Sequence, residues 1–144
     1  MAQAITLRFL TILVLIWAGG CIGGNLVAAP AKFTVDALEL PLALQVGRAQ
    51  FAWIGYVEWA FLAAIAVVTV LSRTRPPALI VIATALFLVQ QLGVQPMLEA
   101  RSDLIIAGAP YSDATGRHLI FVALEVSKVV CLIAAGWMMI RLRT

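Results

Sequence analysis

The sequence predicts an all-α fold: a four-helix transmembrane bundle that forms one integral membrane domain. Of the 144 residues, 63% are apolar and only 12% are charged, and the mean hydropathy is +1.04, which is far from the balance of soluble domains. Four continuous apolar runs each have about 20 residues or more, the length that a helix needs to cross the ~30 Å core of a bilayer. The runs are Ile5–Ala28, Phe51–Leu71, Ala78–Met97 and His118–Ile140.

Helix-starting and helix-breaking residues refine the bounds of these runs. The first helix is defined by its apolar run alone. Pro41 suits the first turn of a helix that continues into the second run, because a proline there lacks only an N–H group that would have no partner. Pro76 and Pro77 suit the start of the third helix for the same reason, and Gly108-Ala109-Pro110 ends it.

The fourth helix is predicted to begin at a polar cap. Ser112 or Asp113 would accept hydrogen bonds from the N–H groups of its first turn. We therefore expect helices at about 5–28, 41–72, 77–107 and 113–141 in a single domain covering 1–144. Helices 2 and 3 are then expected to extend beyond the outer leaflet by roughly two to three turns of ~5.4 Å each.

Basic residues predict the orientation of the bundle. One side of the runs carries arginines and no acidic residue, whereas the segments on the opposite side carry both signs of charge. The positive-inside rule therefore predicts that both termini and the 72–77 turn are cytoplasmic, as in a multi-pass protein of a bacterial inner (plasma) membrane. The net charge of +3 reflects this topology, and we expect no nucleic-acid partner. The arginines are Arg8, Arg73, Arg75, Arg141 and Arg143.

Small residues in the first helix predict close packing. Gly19 with Gly23 and Gly20 with Gly24 are spaced so that another helix could approach the backbone. Packing inside one bundle is the favoured interpretation, and homodimerisation through that face and room for a ligand are the alternatives.

Two further patterns near the end of the first run loosely resemble processing signals, and we expect neither to be cleaved. Pro30 would follow a cut after Val27-Ala28-Ala29, and Ala18-Gly19-Gly20-Cys21 lacks the usual branched residue before the cysteine. Cys131 lies toward the inner half of the last helix, away from Cys21, so the two cysteines predict small packing residues rather than a disulfide.

Three charged residues inside the apolar runs are the best indication of function. A charge near the bilayer centre costs ~3 kcal/mol or more, so it rarely lacks a partner or a task. At ~1.5 Å per residue, Glu58 lies roughly 4–5 Å to the outer side of the midplane, Glu125 about 6 Å, and Lys128 at about the midplane. Glu125 and Lys128 are three residues apart on one helix and can form an ion pair. Glu58 then either shares Lys128 or is protonated.

Amide side chains from other helices lie in the same outer half. Gln90 and Gln91 fall roughly 4–5 Å outward of the midplane, and Asn25 about 11 Å outward. Gln90, Gln91 and Gln95 can donate to either carboxylate, and Gln91 is the expected orienting donor. The candidate ligand- or ion-binding residues are Glu58, Glu125, Lys128, Gln91, Gln90 and Asn25.

This polar layer has three interpretations. It forms a structural network that sets the helix register, an outward-facing polar cavity that binds or passes a cation, protons or a small polar molecule, or a docking surface on an accessory or structural subunit of a larger membrane complex. The bilayer is the expected partner in every case, and a homodimer is a further alternative. The cavity is the leading functional hypothesis.

Several chemistries find little support in the sequence. His118 is the only histidine, which excludes bis-histidine haem ligation within one chain. A metal site from His118, Asp113 and Glu99 is a minor alternative, because these residues belong to a surface segment. No Ser-His-Asp order, phosphate-binding glycine loop or paired CxxC occurs, so we expect no cofactor and no metal, and an enzyme is the less favoured class.

Several short motifs carry a family resemblance. They resemble those of small, uncharacterised bacterial four-helix inner-membrane proteins and are more distantly similar to transmembrane-protein-205-like proteins. The resemblance covers most of the chain and implies a four-helix inner-membrane fold, with no established activity. The motifs are Ala29-Pro30-Ala31-Lys32-Phe33, Leu42-Ala43-Leu44-Gln45-Val46-Gly47-Arg48, Glu58-Trp59, Ala100-Arg101 through Ile105-Ile106-Ala107-Gly108, and Leu124-Glu125 with Lys128.

Overall fold

A computed structural model of the protein describes residues 2–111 and 115–141, and over these ranges the chain is helical and contains no strand. Within them, four helices are long and apolar enough to cross a membrane, which confirms the predicted four-helix fold and indicates a multi-pass membrane protein. The predicted cap of the last helix, Ser112 or Asp113, lies outside the described residues. In chain order, the membrane-length helices α1 to α4 are Gln3–Thr34, Leu40–Leu71, Ala78–Ile106 and Gly116–Arg141.

Two of the four helices change their winding part of the way along. A π-helical segment has more residues per turn than an α-helix, so it moves the side chains that follow onto another face. In α1, the successive pieces are α-helical Ala2–Cys21, π-helical Ile22–Ala28, α-helical Ala29–Ala31 and 3-10 helical Lys32–Thr34. In α3, they are α-helical Ala78–Val89, π-helical Gln90–Val94 and α-helical Gln95–Ile106.

Both π-helical segments come just before a proline. Pro30 and Pro96 each lie at the start of the α-helical piece that follows. A proline ring inside a regular α-helix clashes with the carbonyl group four residues earlier, and the wider turn relieves that clash. α1 therefore continues to Thr34 instead of ending near residue 28 as predicted, because the π-helical turn carries the helix past Pro30.

α2 is a regular α-helix over its whole length, and so is α4, whose helical conformation begins at Thr115, one residue before its membrane-length part. Pro41 lies in the first turn of α2, and Pro77 is the N-cap of α3, so the two helices begin within one residue of the predicted positions. α3 ends where Gly108 adopts a φ of 66°, a left-handed conformation that glycine reaches without a Cβ clash.

Neighbouring helices run in opposite directions. Leu15 of α1 packs against Gly136 of α4, and Asn25 of α1 reaches Glu125 of α4, so these two helices are antiparallel. α1 also packs against α2, and α3 packs against α4 and, through its piece Gln95–Ile106, against α2. The start of α1, the 72–77 turn and the end of α4 therefore share one end of the bundle, the terminal end. Residues 35–39 and 107–111 lie at the opposite end, the loop end.

The apolar core fills the terminal half of the bundle, and the buried charged and amide groups lie toward the loop end. Five charged or amide side chains are buried in the described chain: Glu58, Gln90, Gln95, Glu125 and Lys128. The core residues that pack together below them include Leu10, Val14, Ile80, Ala83, Leu132, Ala135 and Met139. The bundle is therefore layered, with an apolar half at the terminal end and the charged and amide groups toward the loop end.

Aromatic rings separate the two halves. Trp17 stacks on Phe61 with ring centroids 6.3 Å apart, and Phe87 meets the edges of Trp17 and Trp59 at 5.9 and 5.0 Å. The ammonium group of Lys128 lies 5.5 Å from the centroid of the Phe87 ring, within the range of a cation–π contact. The rings thus form an apolar floor beneath the buried charges.

The glycines of α1 pack differently from the prediction. A Cβ added to Gly24 would lie 2.5 Å from Cδ1 of Ile54, so α1 and α2 approach closely there. A Cβ added to Gly19, Gly20 or Gly23 would meet no atom of the described chain within 4 Å. Close packing within the bundle is therefore wrong for these three, and Gly24 is the glycine of α1 at which α2 approaches closely.

Candidate functional site

Three charged side chains meet in the middle of the bundle: Glu58 of α2 and Glu125 and Lys128 of α4, which we call the charged triad. Lys128 Nζ bonds to Glu58 Oε1 and lies 3.0 Å from Glu125 Oε2. The side chains of Glu58, Glu125 and Lys128 are 3%, 1% and 0% exposed. Because none of them is solvated, the attraction between the ammonium group and the two carboxylates must offset the cost of desolvating all three.

Besides the bond from Lys128, Glu58 accepts hydrogen bonds from two side chains of α1. Trp17 Nε1 donates to Glu58 Oε1 over 2.9 Å, and the thiol of Cys21 lies 3.2 Å from the same oxygen. Both donors come from α1, one turn apart, so they present a single face to α2. The bonds from Trp17, Cys21 and Lys128 all converge on Oε1. Glu58 thereby ties α1, α2 and α4 together.

Glu125 is held by amide groups from the two π-helical segments. Asn25 Nδ2 donates to Glu125 Oε1 over 3.0 Å, and Gln90 Nε2 donates to Glu125 Oε2 over 2.8 Å. Gln90 Nε2 also lies 3.2 Å from the carbonyl oxygen of Phe121. π-helical turns inside longer helices occur frequently at functional sites, and here two of them direct donors at one carboxylate.

The same two amides leave buried acceptors at the site. Asn25 Oδ1 and Gln90 Oε1 are enclosed and accept no hydrogen bond within the described chain. A buried oxygen of this kind is costly unless a donor reaches it. The surroundings of Glu125 can therefore accept further hydrogen bonds from a hydroxyl group, an ammonium group, water or a protonated carboxyl group.

The other two glutamines lie outside the triad. The amide of Gln91, the expected orienting donor, packs over Gly55 of α2, where an added Cβ would lie 3.1 Å from Nε2. Gln90, the neighbour of Gln91, makes the contact with a triad carboxylate that was expected of Gln91. Gln95 Nε2 donates to Glu99 Oε1 over 3.1 Å instead of reaching Glu58 or Glu125.

A cavity of about 540 Å³ extends from Glu125 to the loop end of the bundle. Glu125 and Asn25 line its deep part, while Phe33, Leu40 and Tyr111 line the part near the loops. Its walls are mostly apolar, and two of the lining rings, Phe51 and Phe121, pack edge to face with centroids 5.3 Å apart. This volume lies within the range of roughly 300–1,000 Å³ that is usual for small-molecule sites.

Basic side chains line the cavity nearer the loop end. Arg48 Nη2 lies 2.6 Å from Asp103 Oδ1 and also donates to the backbone oxygen of Glu99 over 3.3 Å. Lys32 places its ammonium group 5.2 and 5.3 Å from the ring centroids of Phe33 and Phe51. Arg101 and His118 also line the cavity, and the guanidinium of Arg101 lies 5.5 Å from the ring of Tyr111.

A smaller hollow of about 190 Å³ lies on the other side of the triad. It is lined by residues of α1 and α2 only, among them Gly20, Cys21, Trp53 and Glu58. The side chain of Trp53 is 71% exposed, which places this hollow at the outer surface of the bundle. Glu125 thus touches the cavity, and Glu58 touches the smaller hollow.

The site is a poor match for a metal ion. Cys21, Glu58 and Glu125 each offer a ligand atom, and these atoms lie within 4.8 Å of one another. Lys128, however, already bonds to both carboxylates, so a cation would have to displace a buried ammonium group. In the alternative set of His118, Asp113 and Glu99, Asp113 lies outside the described residues, and Glu99 accepts a bond from Gln95.

Sequence reasoning missed several residues of the site. Trp17 and Cys21 look like ordinary packing residues, and Gln50 donates over 2.7 Å to the carbonyl oxygen of Gly24, within the π-helical segment of α1. The available signal was the position of Pro30 and Pro96, each a few residues after glycine near the end of an apolar run. Such a proline indicates that the helix must widen or break just before it.

Comparisons with known proteins add nothing to this description. No family model, no curated protein and no solved structure matches the chain.

Proposed function

We propose that the protein is a small, non-enzymatic, multi-pass protein of a bacterial inner membrane whose cavity binds or passes protons or a small polar molecule. In this proposal both termini are cytoplasmic, because the arginines of the terminal end carry the positive-inside signal, and the cavity opens to the outside. The resemblance to small bacterial four-helix inner-membrane proteins is part of the proposal.

The position of Glu125 carries this proposal. Its side chain lines the cavity, and it also bonds to Lys128 within the charged triad. A ligand or proton that reaches Glu125 from the cavity alters its charge or its hydrogen bonds. Because Lys128 also bonds to Glu58, a change in the charge of Glu125 also affects the ion pair that links α4 to α2. A network that served only to set the helix register would not need a carboxylate at a cavity wall.

The formal charge of the triad favours protons. Two ionised carboxylates and one ammonium group sum to −1, and the uptake of one proton brings the sum to zero. A net charge in a buried membrane site is costly, and the uptake of one proton from the cavity would remove it. The unpaired oxygens of Asn25 and Gln90 provide acceptors next to the carboxyl group that would hold it.

A metal or alkali cation is the weakest of the ligands considered from the sequence. Lys128 already bonds to both carboxylates, the place where such a cation would bind. A small polar molecule fits better, because the deep part of the cavity can hold it beside Asn25 and Glu125 without displacing the ammonium group.

Infrared difference spectroscopy tests the proposal. Between mildly alkaline and mildly acidic buffer, the protein in lipid nanodiscs should develop the C=O band of a protonated carboxyl group in an apolar site. Glu125→Gln should remove or shift this band, whereas Glu99→Gln should leave it unchanged, because Glu99 lines the cavity but does not belong to the triad. A spectrum with no such band in the parent protein, together with no proton uptake from the cavity side in liposomes, would exclude proton binding at the triad.

An accessory subunit is the second candidate, and the open face of α1 favours it. Gly19, Gly20 and Gly23 leave space in which a helix of another chain could approach the backbone closely. Purification in a mild detergent separates the two functions. Obligate co-purification with one other membrane protein supports the subunit, and a homogeneous particle that retains the carboxyl band supports the cavity.

A further inference from the structure

We propose that the cavity recognises an amphiphile with one anionic head group, a carboxylate or a phosphate, and that Lys32 binds this head group. The apolar portion of the ligand would lie against the aromatic and aliphatic wall between Lys32 and Glu125. The inference rests on the proposed function in that it uses the same cavity, but it does not depend on proton binding by the triad.

The position of the Lys32 ammonium group is the first observation. Its ammonium group lies against Gly47 of α2, where a Cβ would collide with Nζ and crowd Cε. The rings of Phe33 and Phe51 flank it at 5.2 and 5.3 Å. The missing side chain at position 47 thus makes room for an ammonium group at the cavity wall, and the aromatic rings hold it there.

The lack of a counter-charge is the second observation. Within the described chain, the contacts of the Lys32 ammonium group are with aromatic rings, and no carboxylate forms an ion pair with it. Three acidic residues around the cavity have other partners: Asp103 pairs with Arg48, Glu125 pairs with Lys128, and Glu99 accepts a bond from Gln95. Asp36 and Glu39, in the segment that follows Lys32, form no ion pair with it in the described chain. A half-buried ammonium group that has lost part of its hydration gains most from an anionic partner.

The wall of the cavity indicates the rest of the ligand. Phe51 packs on Phe121, which lies one helical turn before Glu125, so an apolar surface connects Lys32 with the deep part of the cavity. Leu26, Leu44 and Val122 belong to the same wall. A fully polar anion would leave this surface without a partner, whereas an amphiphile covers it while its head group stays at Lys32.

Calorimetric titration in nanodiscs of a zwitterionic lipid tests the inference. The probes are octanoate and octyl phosphate, with octanol, octylammonium and acetate as controls that lack the charge, reverse it or lack the chain. Octanoate and octyl phosphate should bind the parent protein, and the three controls should bind at least about tenfold more weakly. Equal binding of octanol and octanoate would show that no anion is recognised, and failure of both anionic probes to bind would overturn the inference.

Substitutions assign the binding to Lys32. Lys32→Met should weaken octanoate binding about tenfold or more, and Lys32→Arg should retain most of it. Arg75→Met removes one positive charge from the exposed terminal end and should change nothing. Thermal unfolding of each variant, measured in parallel, identifies any loss that comes from misfolding. If Lys32→Met folds and binds octanoate as the parent does, Lys32 is not the anion site.

The source of the anion and the proposed function are separated by two further measurements. Phosphatidic acid in the nanodisc that competes with octanoate in a Lys32-dependent way identifies a lipid head group, and octanoate binding without such competition identifies a soluble amphiphile. The carboxyl band of Glu125 is measured on the same samples. If Lys32→Met leaves octanoate affinity unchanged while the band persists, this inference fails and the proposed function stands. If octanoate binds in a Lys32-dependent way but no carboxyl band appears, the inference stands and proton binding at the triad fails.

Discussion

Asn25 of α1 donates a hydrogen bond of 3.0 Å to Glu125 of α4, although the two residues are 100 positions apart in the chain. Asn25 lies within the π-helical segment Ile22–Ala28, and Gln90, in the other π-helical segment, donates to the second oxygen of the same carboxylate. The environment of the buried carboxylate therefore depends on two departures from regular helical winding.

The glutamine pair at the start of the second π-helical segment tests this dependence. Gln90→Met should destabilise the bundle by about 1–3 kcal/mol, because Glu125 and the carbonyl group of Phe121 both lose a donor. Gln91→Met should cost clearly less, because the amide of Gln91 packs over Gly55 and donates to no carboxylate among the described residues. Unfolding in a graded denaturing detergent measures both. Equal losses in the two variants would contradict the specific role of Gln90.

The charged triad predicts a pattern of loss and recovery. Lys128→Met removes the ammonium group that two buried carboxylates share and should cost about 3–5 kcal/mol unless a carboxylate takes up a proton. Removing the charge of Glu125 as well should recover part of this loss. The stability should recover most in the triple variant that combines Lys128→Met with Glu125→Gln and Glu58→Gln, because no unpaired carboxylate of the triad then remains. If Lys128→Met is as stable as the parent in neutral buffer and its infrared spectrum gains no carboxyl band, the triad does not stabilise the fold.

Two glycines of α1 provide a matched test of packing. Gly24→Leu should destabilise the bundle by about 1–3 kcal/mol, because even a Cβ at that position would lie 2.5 Å from Ile54. Gly20→Leu should change the stability of the monomer by no more than about 0.5 kcal/mol, because a Cβ added at position 20 would meet no atom of the described chain within 4 Å. The sequence alone predicts a loss in both. Thermal unfolding and size-exclusion chromatography measure the two effects, and a loss at position 20 accompanied by dissociation would instead reveal a dimer contact.

Gly47 should separate ligand binding from stability. Gly47→Ala places a methyl group where the Lys32 ammonium group lies, so octanoate affinity should fall. The free energy of unfolding should stay the same or rise by up to about 1 kcal/mol, because alanine favours a helix interior over glycine. Gly19→Ala is the control, since it makes the same change in α1 in open space. An unchanged octanoate affinity in Gly47→Ala would mean that the space over Gly47, between the rings of Phe33 and Phe51, does not position the Lys32 ammonium group for binding.

Cysteine labelling tests the orientation. In a variant in which Cys21 and Cys131 are replaced by alanine, a membrane-impermeant maleimide should label Asp36→Cys in intact cells and spare Thr74→Cys, because the positive-inside rule puts the 72–77 turn in the cytoplasm. Ser112→Cys, in the segment outside the described residues, should be labelled like Asp36→Cys. Disruption of the cells should make Thr74→Cys reactive. Labelling of Thr74→Cys from outside would reverse the proposed topology.

The depth of each residue was accessible from the sequence, because the rise along a helix is a local property. At ~1.5 Å per residue, Glu58, Glu125 and Lys128 fall within about one turn of each other, and the structure brings all three into contact. The direction of each side chain around its helix was less accessible. Gln90 and Gln91 have almost the same depth, and the rotation of α3 about its own axis decides which of them reaches Glu125.

The sequence by itself determined that this chain has four membrane-length helices and a narrow layer of buried charge, since apolar run length and spacing along a helix depend only on neighbouring residues. The tertiary structure alone decided that Lys128 is shared by two carboxylates, that Gly24 and not Gly20 is a close contact, and that Lys32 lies over Gly47 at the wall of a cavity. These relationships join residues from different helices, and they depend on the rotation and approach of whole helices, which no local pattern encodes.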